Sequence, residues 1–72
     1  MRKNPKKALE RAVAVAGSQS ALAALIGKKQ GDVWYWLNKS QRVPGEMAMP
    51  IEAATGVSKH ELRPDLYPLE QA

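Results

Sequence analysis

The sequence predicts an all-α fold. Apolar residues recur at helical spacing (i, i+3, i+4, i+7), no stretch keeps a sustained period-two alternation, and glycine or proline marks most of the joints between stretches. With 72 residues there is room for one core only, and a chain of this size buries roughly 60% of the surface its unfolded form exposes. There is no cysteine and a single histidine, His60, which excludes a disulfide framework and a Cys/His zinc site. No cofactor is implied. Folding has to rest on apolar packing, with or without help from a partner chain.

Pro5 suits the first turn of a helix, where a missing N–H costs nothing. From there Leu9, Ala12, Val13 and Ala16 form one apolar stripe, with Lys6, Lys7, Glu10 and Arg11 off it, and Gly17 ends the helix. Ser18 is placed to cap a second helix whose inner face is Leu22, Ala23 and Ile26 and which closes at Gly27. A third helix starts near Gln30, with Val33, Trp36 and Leu37 facing inward and Asp32 suiting the positive end of its dipole. The polar run Asn38–Arg42 reads as a loop. Pro44 then opens a fourth helix with Met47, Ile51 and Ala54 as its stripe. Pro50 conflicts with that helix, since an internal proline removes a hydrogen bond and clashes with the preceding turn, so a kink or a late start is expected. Thr55-Gly56 ends it. Ser58-Lys59-His60-Glu61 is a capping-box pattern with space for one turn before Pro64, and Pro64 and Pro68 make the tail, about 64–72, extended.

The net charge of +4 is unevenly placed. Residues 1–42 hold nine basic side chains (Arg2, Lys3, Lys6, Lys7, Arg11, Lys28, Lys29, Lys39, Arg42) against Glu10 and Asp32, whereas residues 43–72 hold five acidic side chains against Lys59 and Arg63. A basic front and an acidic back suggest a polyanion for one face; ordinary solubility charge is the plainer reading. The cluster at Arg2, Lys3, Lys6, Lys7 and Arg11 has no assigned role. No run is long enough to cross a bilayer and no signal-peptide apolar stretch follows the basic start, so the expectation is a cytoplasmic, nucleoid-associated protein. Asn38-Lys39-Ser40 matches a glycosylation sequon by chance.

The informative pattern is the stretch at about 19–38. Two short helices meet at a glycine-containing turn, which is the layout of a helix-turn-helix. Ala23 is small where the two helices would cross, and Gly27, four residues on, can take the left-handed conformation the turn needs. If Val33, Trp36 and Leu37 face inward, then Gln30, Gly31, Trp34, Tyr35 and Asn38 face outward. A recognition helix meets base edges in the major groove with its N-terminal residues. Gln30 is the best candidate for reading a base, because its amide can pair with adenine N6 and N7 together; otherwise it is a solvated helix-start residue. Gly31 either lets backbone approach DNA or merely weakens the helix. Asp32 is a dipole residue or an acceptor from cytosine N4. Tyr35 and Trp34 could meet thymine methyls or the sugar-phosphate edge, with Trp34 alternatively folding back over the fourth helix, while Trp36 belongs to the core. Gln19 is placed to meet a phosphate, and Lys28, Lys29, Asn38, Lys39 and Arg42 flank the third helix.

These residues carry a family resemblance. Leu9-Glu10-Arg11-Ala12, Ser20-Ala21-Leu22-Ala23, Asp32-Val33-Trp34-Tyr35-Trp36-Leu37-Asn38, Val43-Pro44, Pro50-Ile51-Glu52-Ala53-Ala54-Thr55-Gly56 and the tail His60-Glu61-Leu62-Arg63-Pro64-Asp65-Leu66-Tyr67-Pro68 resemble the YdaS-like branch of phage Cro/repressor helix-turn-helix proteins, over about 60 of the 72 residues. The resemblance implies a compact five-helix, lambda repressor-like domain spanning 1–72 that binds operator DNA and regulates transcription, in a prophage switch or beside a toxin gene. It implies Gln19, Lys29, Gln30, Gly31, Trp34, Tyr35 and Asn38 as DNA contacts and tolerates Pro50 as a normal feature of the fourth helix. The chain departs from the family at Lys29, where many members carry a serine-like cap, so the start of the third helix is fixed only to within a residue.

The expectation is therefore a sequence-specific, dimeric binder of double-stranded DNA. An enzyme is disfavoured by the single histidine, the missing phosphate loop and the break at Pro64 between Glu61 and Asp65. Two other rivals are an antitoxin-type protein gripping a toxin partner through Met47, Met49, Leu66, Tyr67 and Leu69, and an RNA binder stacking bases on Trp34 and Tyr35. Leu62 with Arg63-Pro64-Asp65 either locks the chain end to the core, with Arg63 and Asp65 paired, or forms a dimer contact. His60 is expected exposed.

Overall fold

The computed structural model describes residues 4–68. Arg2, Lys3 and Leu69, together with the rest of the tail beyond Pro68, lie outside the described residues. The α-helices are α1 (Pro5–Ala16), α2 (Gln19–Ile26), α3 (Gln30–Tyr35), α4 (Gly45–Thr55) and α5 (Lys59–Leu62), and among the described residues there is no strand.

Local chemistry sets most of the boundaries. Asn4, in extended conformation, accepts from the N–H groups of Lys6 and Lys7 at 3.1 and 3.2 Å, so α1 has a side-chain cap as well as Pro5 in its first turn. Gly17, at φ 114°, ends α1, and Ser18 Oγ accepts from Ala21 N–H at 3.0 Å to start α2. Gly27 sits in the left-handed region at φ 73°, as the turn requires. The amides of Gly27 and Lys28 then reach back to the carbonyls of Ala24 and Ala23, closing the end of α2 with a paired Schellman arrangement.

Each element supplies one branched side chain to a single buried cluster: Leu9 from α1, Leu22 from α2, Val33 from α3, Val43 from the following loop, Ile51 from α4 and Leu62 from α5. Ala8, Ala12, Ala23, Trp36, Leu37, Ala48 and Val57 complete it. Trp36 is core, as expected, and Ala23 is buried on α2, which packs against α1, α3 and α4. Val13, Ala16, Ile26 and Met47 pack partly against the cluster.

Several expectations need correction. The segment Asn38–Arg42 is not a simple loop: Trp36–Ser40 forms a π-helical turn continuing α3, and the chain leaves it through Gln41 at φ 60°. Asn38 Nδ2 donates to the carbonyl of Trp34 at 2.9 Å, which supports a widened turn that i→i+4 reasoning does not anticipate. Pro44 stands at the start of α4 as expected, as its cap residue with the carbonyl accepting from Met47 N–H at 2.9 Å, and α4 runs as one element through Pro50 instead of starting late. The proline forfeits the bond to the Glu46 carbonyl, and both residues are exposed. The buried face of α4 is Ala48 and Ile51; Ala54 is exposed. At α5, Ser58 Oγ accepts from His60 N–H rather than from Glu61, and the Glu61 carboxylate pairs with Arg11 on α1. His60 is half-buried, with its Nδ1 2.6 Å from the carbonyl of Tyr67.

The tail is also not extended over its described part. The amides of Leu66 and Tyr67 both donate to the Arg63 carbonyl, turning the chain at Pro64–Leu66. Arg63 and Asp65 are paired, as expected: Nε and Nη2 donate to the two carboxylate oxygens at 3.0 and 2.7 Å, and Nη1 donates to the Val43 carbonyl at 2.9 Å. These hydrogen bonds from Arg63 hold the Asp65 carboxyl at about 2. Because the unfolded chain returns Asp65 to about 3.9, it binds the extra proton first, and the pair's contribution is present above that value and lost as pH falls towards 2. Urea titrations followed by helical circular dichroism should show stability declining between about pH 4 and pH 2, with a shallower decline in Asp65→Asn.

Candidate nucleic-acid interface

The N-termini of α2 and α3 converge. Gln30, the first residue of α3, donates from Nε2 to Gln19 Oε1, the first residue of α2, at 2.6 Å. The start of α3 is thereby fixed: Lys29 precedes the helix in extended conformation, and in place of a serine-like cap the Asp32 carboxylate accepts from the Lys29 N–H at 3.2 Å. This bond gives Asp32 a structural task at the helix start, in line with the dipole reading.

The side chains sort as the helical spacing predicts. Val33, Trp36 and Leu37 are buried, and Gln30, Gly31, Trp34, Tyr35 and Asn38 are exposed. Trp34 and Tyr35 are 45% and 55% exposed, a large aromatic surface beside polar Gln30 and Asn38. Lys28 and Lys29 lie exposed ahead of α3, and Lys39 and Arg42 lie exposed after it. One of the two donors on the Gln30 amide is used by Gln19, which leaves one N–H and the Oε1 acceptor; that is the complement adenine presents through N7 and N6. Asn38 keeps its Oδ1 available while its amide braces Trp34. Arg42 Nη1 lies 3.9 Å from Asp65, so the basic flank is not made of unopposed charge.

Two features of this surface escaped the sequence reading. The Gln19–Gln30 pair joins residues eleven apart, and its only sequence signal was that a tight turn brings two helix starts together. The approach of Asp65 to Arg42 across the tail had no local signal. Of the basic cluster at the start of the chain, Arg11 is tied to Glu61 on α5, and Lys7 and Arg11 lie with Glu10 and Ala14 along a shallow depression on α1. α1 packs against α2, α4, α5 and the Trp36–Ser40 turn, and does not contact α3 itself.

Residues 9–71 match the model of the family described as "Bacterial toxin YdaS". The chain belongs to the YdaS family. It is 38% identical over 66 residues to the "Putative transcriptional regulator YdaS" of Escherichia coli (strain K12), covering 89% of this chain and 67% of that protein. Its fold is similar to that of the "Cro protein from putative prophage element Xfaso 1 in Xylella fastidiosa strain Ann-1", with a TM-score of 0.76, 39% identity, and coverage of 90% of this chain and 97% of the other. The α2–turn–α3 unit of this YdaS-family chain is therefore a helix-turn-helix in a five-helix, Cro-like domain. No single described helix is long and apolar enough to cross a membrane.

Proposed function

We propose that this YdaS-family chain is a sequence-specific, double-stranded-DNA-binding transcriptional regulator of the Cro-like prophage repressor kind, working in the cytoplasm as a homodimer on its operator. The observation that carries the proposal is the Gln19–Gln30 pair at the exposed start of α3, flanked by lysines on both sides. α3 would lie in the major groove with Gln30 reading adenine. Gln19 holds the Gln30 amide from the phosphate side, Gly31 allows close approach, and Trp34 and Tyr35 meet thymine methyls or sugars. Lys28, Lys29, Lys39, Asn38 and Arg42 would serve the phosphate backbone and set register without reading sequence.

A single module touches few base pairs, and two copies about one helical turn (roughly 34 Å) apart multiply the discrimination. With about six to eight phosphate contacts per dimer, log affinity should fall with log salt at a slope of roughly −5 to −7. Titrating the chain against duplex from the region flanking its own gene at several salt concentrations tests this. Lys28→Ala should weaken every duplex about equally and reduce the slope by about one per subunit. A wild-type slope near zero would remove the electrostatic basis of the reading.

A second reading, an antitoxin-type protein whose main role is binding a toxin partner, has Met49 and Leu66 in its favour, 55% and 51% exposed on the side of α4 and the tail. It predicts that Met49→Ser and Leu66→Ser abolish partner binding while leaving duplex affinity unchanged.

A further inference from the structure

We propose that Asp65 is an electrostatic tether on Arg42, holding one of the cations beside α3 back from the phosphate backbone and so restraining affinity for DNA of any sequence. The inference rests on the duplex-binding reading above and adds a residue from the tail to it.

The geometry has three parts. Arg63 is fastened: its side chain is only 12% exposed, and Nη1 is bound to the Val43 carbonyl while Nε and Nη2 take both oxygens of Asp65. Asp65 is consequently held in place next to the chain that carries Arg42, although its own side chain is 47% exposed. Arg42 Nη1 stands 3.9 Å from Asp65 Oδ2, with its side chain 55% exposed. The three charges sum to a single positive one, shared between Arg42 and the fastened Arg63.

The location matters as much as the charge. Arg42 follows Gln41, whose left-handed backbone turns the chain out of the π-helical turn. Tyr35 of α3, Ser40, Arg42, Pro44 and Arg63 share the wall of one hollow of about 220 Å³. Asp65 lies outside that wall, but its carboxylate is 3.9 Å from Arg42 Nη1, so a phosphate that reaches this nitrogen also approaches the carboxylate, and the two anions repel. The distance of 3.9 Å is long for a hydrogen bond, so Arg42 is attracted without being locked, and a phosphate has to compete for it. With the Asp65 carboxyl held at about 2, no ordinary pH releases the tether.

The test is the affinity and salt slope of the full chain for a duplex it binds, compared among wild type, Asp65→Asn, Arg42→Ala, the double variant, and Glu10→Gln. The last removes one exposed negative charge on α1 and measures the effect of net charge alone. Asp65→Asn should bind about 2–5-fold tighter at ~100 mM salt, with the slope steeper by about 0.9 per subunit. The double variant should lose that gain, and Glu10→Gln should fall short of it. A gain no larger than that of Glu10→Gln, or one that survives in the double variant, overturns the tether. If Asp65→Asn loses its helical circular dichroism, Arg42→Ala in the otherwise wild-type chain decides. A loss below about twofold supports the tether, and a loss matching Lys28→Ala overturns it. A wild-type chain that binds no duplex removes the DNA-binding reading itself, and the tether falls with it.

Discussion

Leu62→Ala is expected to leave most of the chain unfolded at room temperature. Leu62 is fully buried although α5 is a single four-residue turn, and it joins Leu9, Leu22 and Ile51 in the one core cluster. Truncating a buried leucine costs about 2–5 kcal/mol, while a domain of this size has a total of roughly 3–5 kcal/mol from its core. There is no disulfide to compensate. Leu25, 57% exposed on α2, is the control, and Leu25→Ala should change stability by less than about 0.5 kcal/mol. Urea titration by circular dichroism separates the two. A cooperative Leu62→Ala transition at the wild-type midpoint would mean that α5 does not help to close the core.

Gln30→Ala should remove the preference for one base per half-site while leaving affinity for unrelated duplex nearly intact. The side chain is exposed and bonded only to Gln19, so its loss opens no cavity. A bidentate glutamine–adenine pair discriminates by about 1–3 kcal/mol, or roughly 5–150-fold. Competition with duplexes substituted one base pair at a time should show the preference collapse at a single position and persist elsewhere. Gln19→Ala should have a smaller effect at the same position, since it frees the Gln30 amide to rotate without removing it. An equal loss for every duplex in Gln30→Ala would place Gln30 on the backbone and leave base reading to Trp34, Tyr35 or Asn38.

What could be read in the sequence was what local chemistry decides. Gly17, Ser18 and Gly27 mark the ends of α1 and α2 because left-handed backbone and side-chain capping are properties of one or two residues. Val33, Trp36 and Leu37 point inward because bulky side chains declare the phase of α3. In α4 that signal is weak: alanines stand at 48, 53 and 54, and nothing in an alanine says whether it faces in, so the spacing points to Ala54 where the structure buries Ala48. The π-helical turn comes with a brace from Asn38 to Trp34 and an exit through Gln41 at positive φ, neither of which has a sequence pattern. His60 against the Tyr67 carbonyl, and Asp65 against Arg42, depend on how the tail turns back, whereas two prolines by themselves point to an extended tail. The candidate interface was legible as a list of exposed residues. The coupling of Gln19 to Gln30, and of Arg42 to the tail, belongs to the tertiary arrangement.

If α3 reads sequence in duplex DNA, the chain distinguishes duplexes by their bases and not only by their charge. Selection of bound duplexes from a random-sequence library at ~150 mM salt tests this most directly. The bound pool should be enriched in a motif with two inverted half-sites about 10 base pairs apart, each containing an adenine whose preference disappears in Gln30→Ala. Recovery of duplex with no enriched motif, or of no duplex at all, would contradict sequence reading by α3.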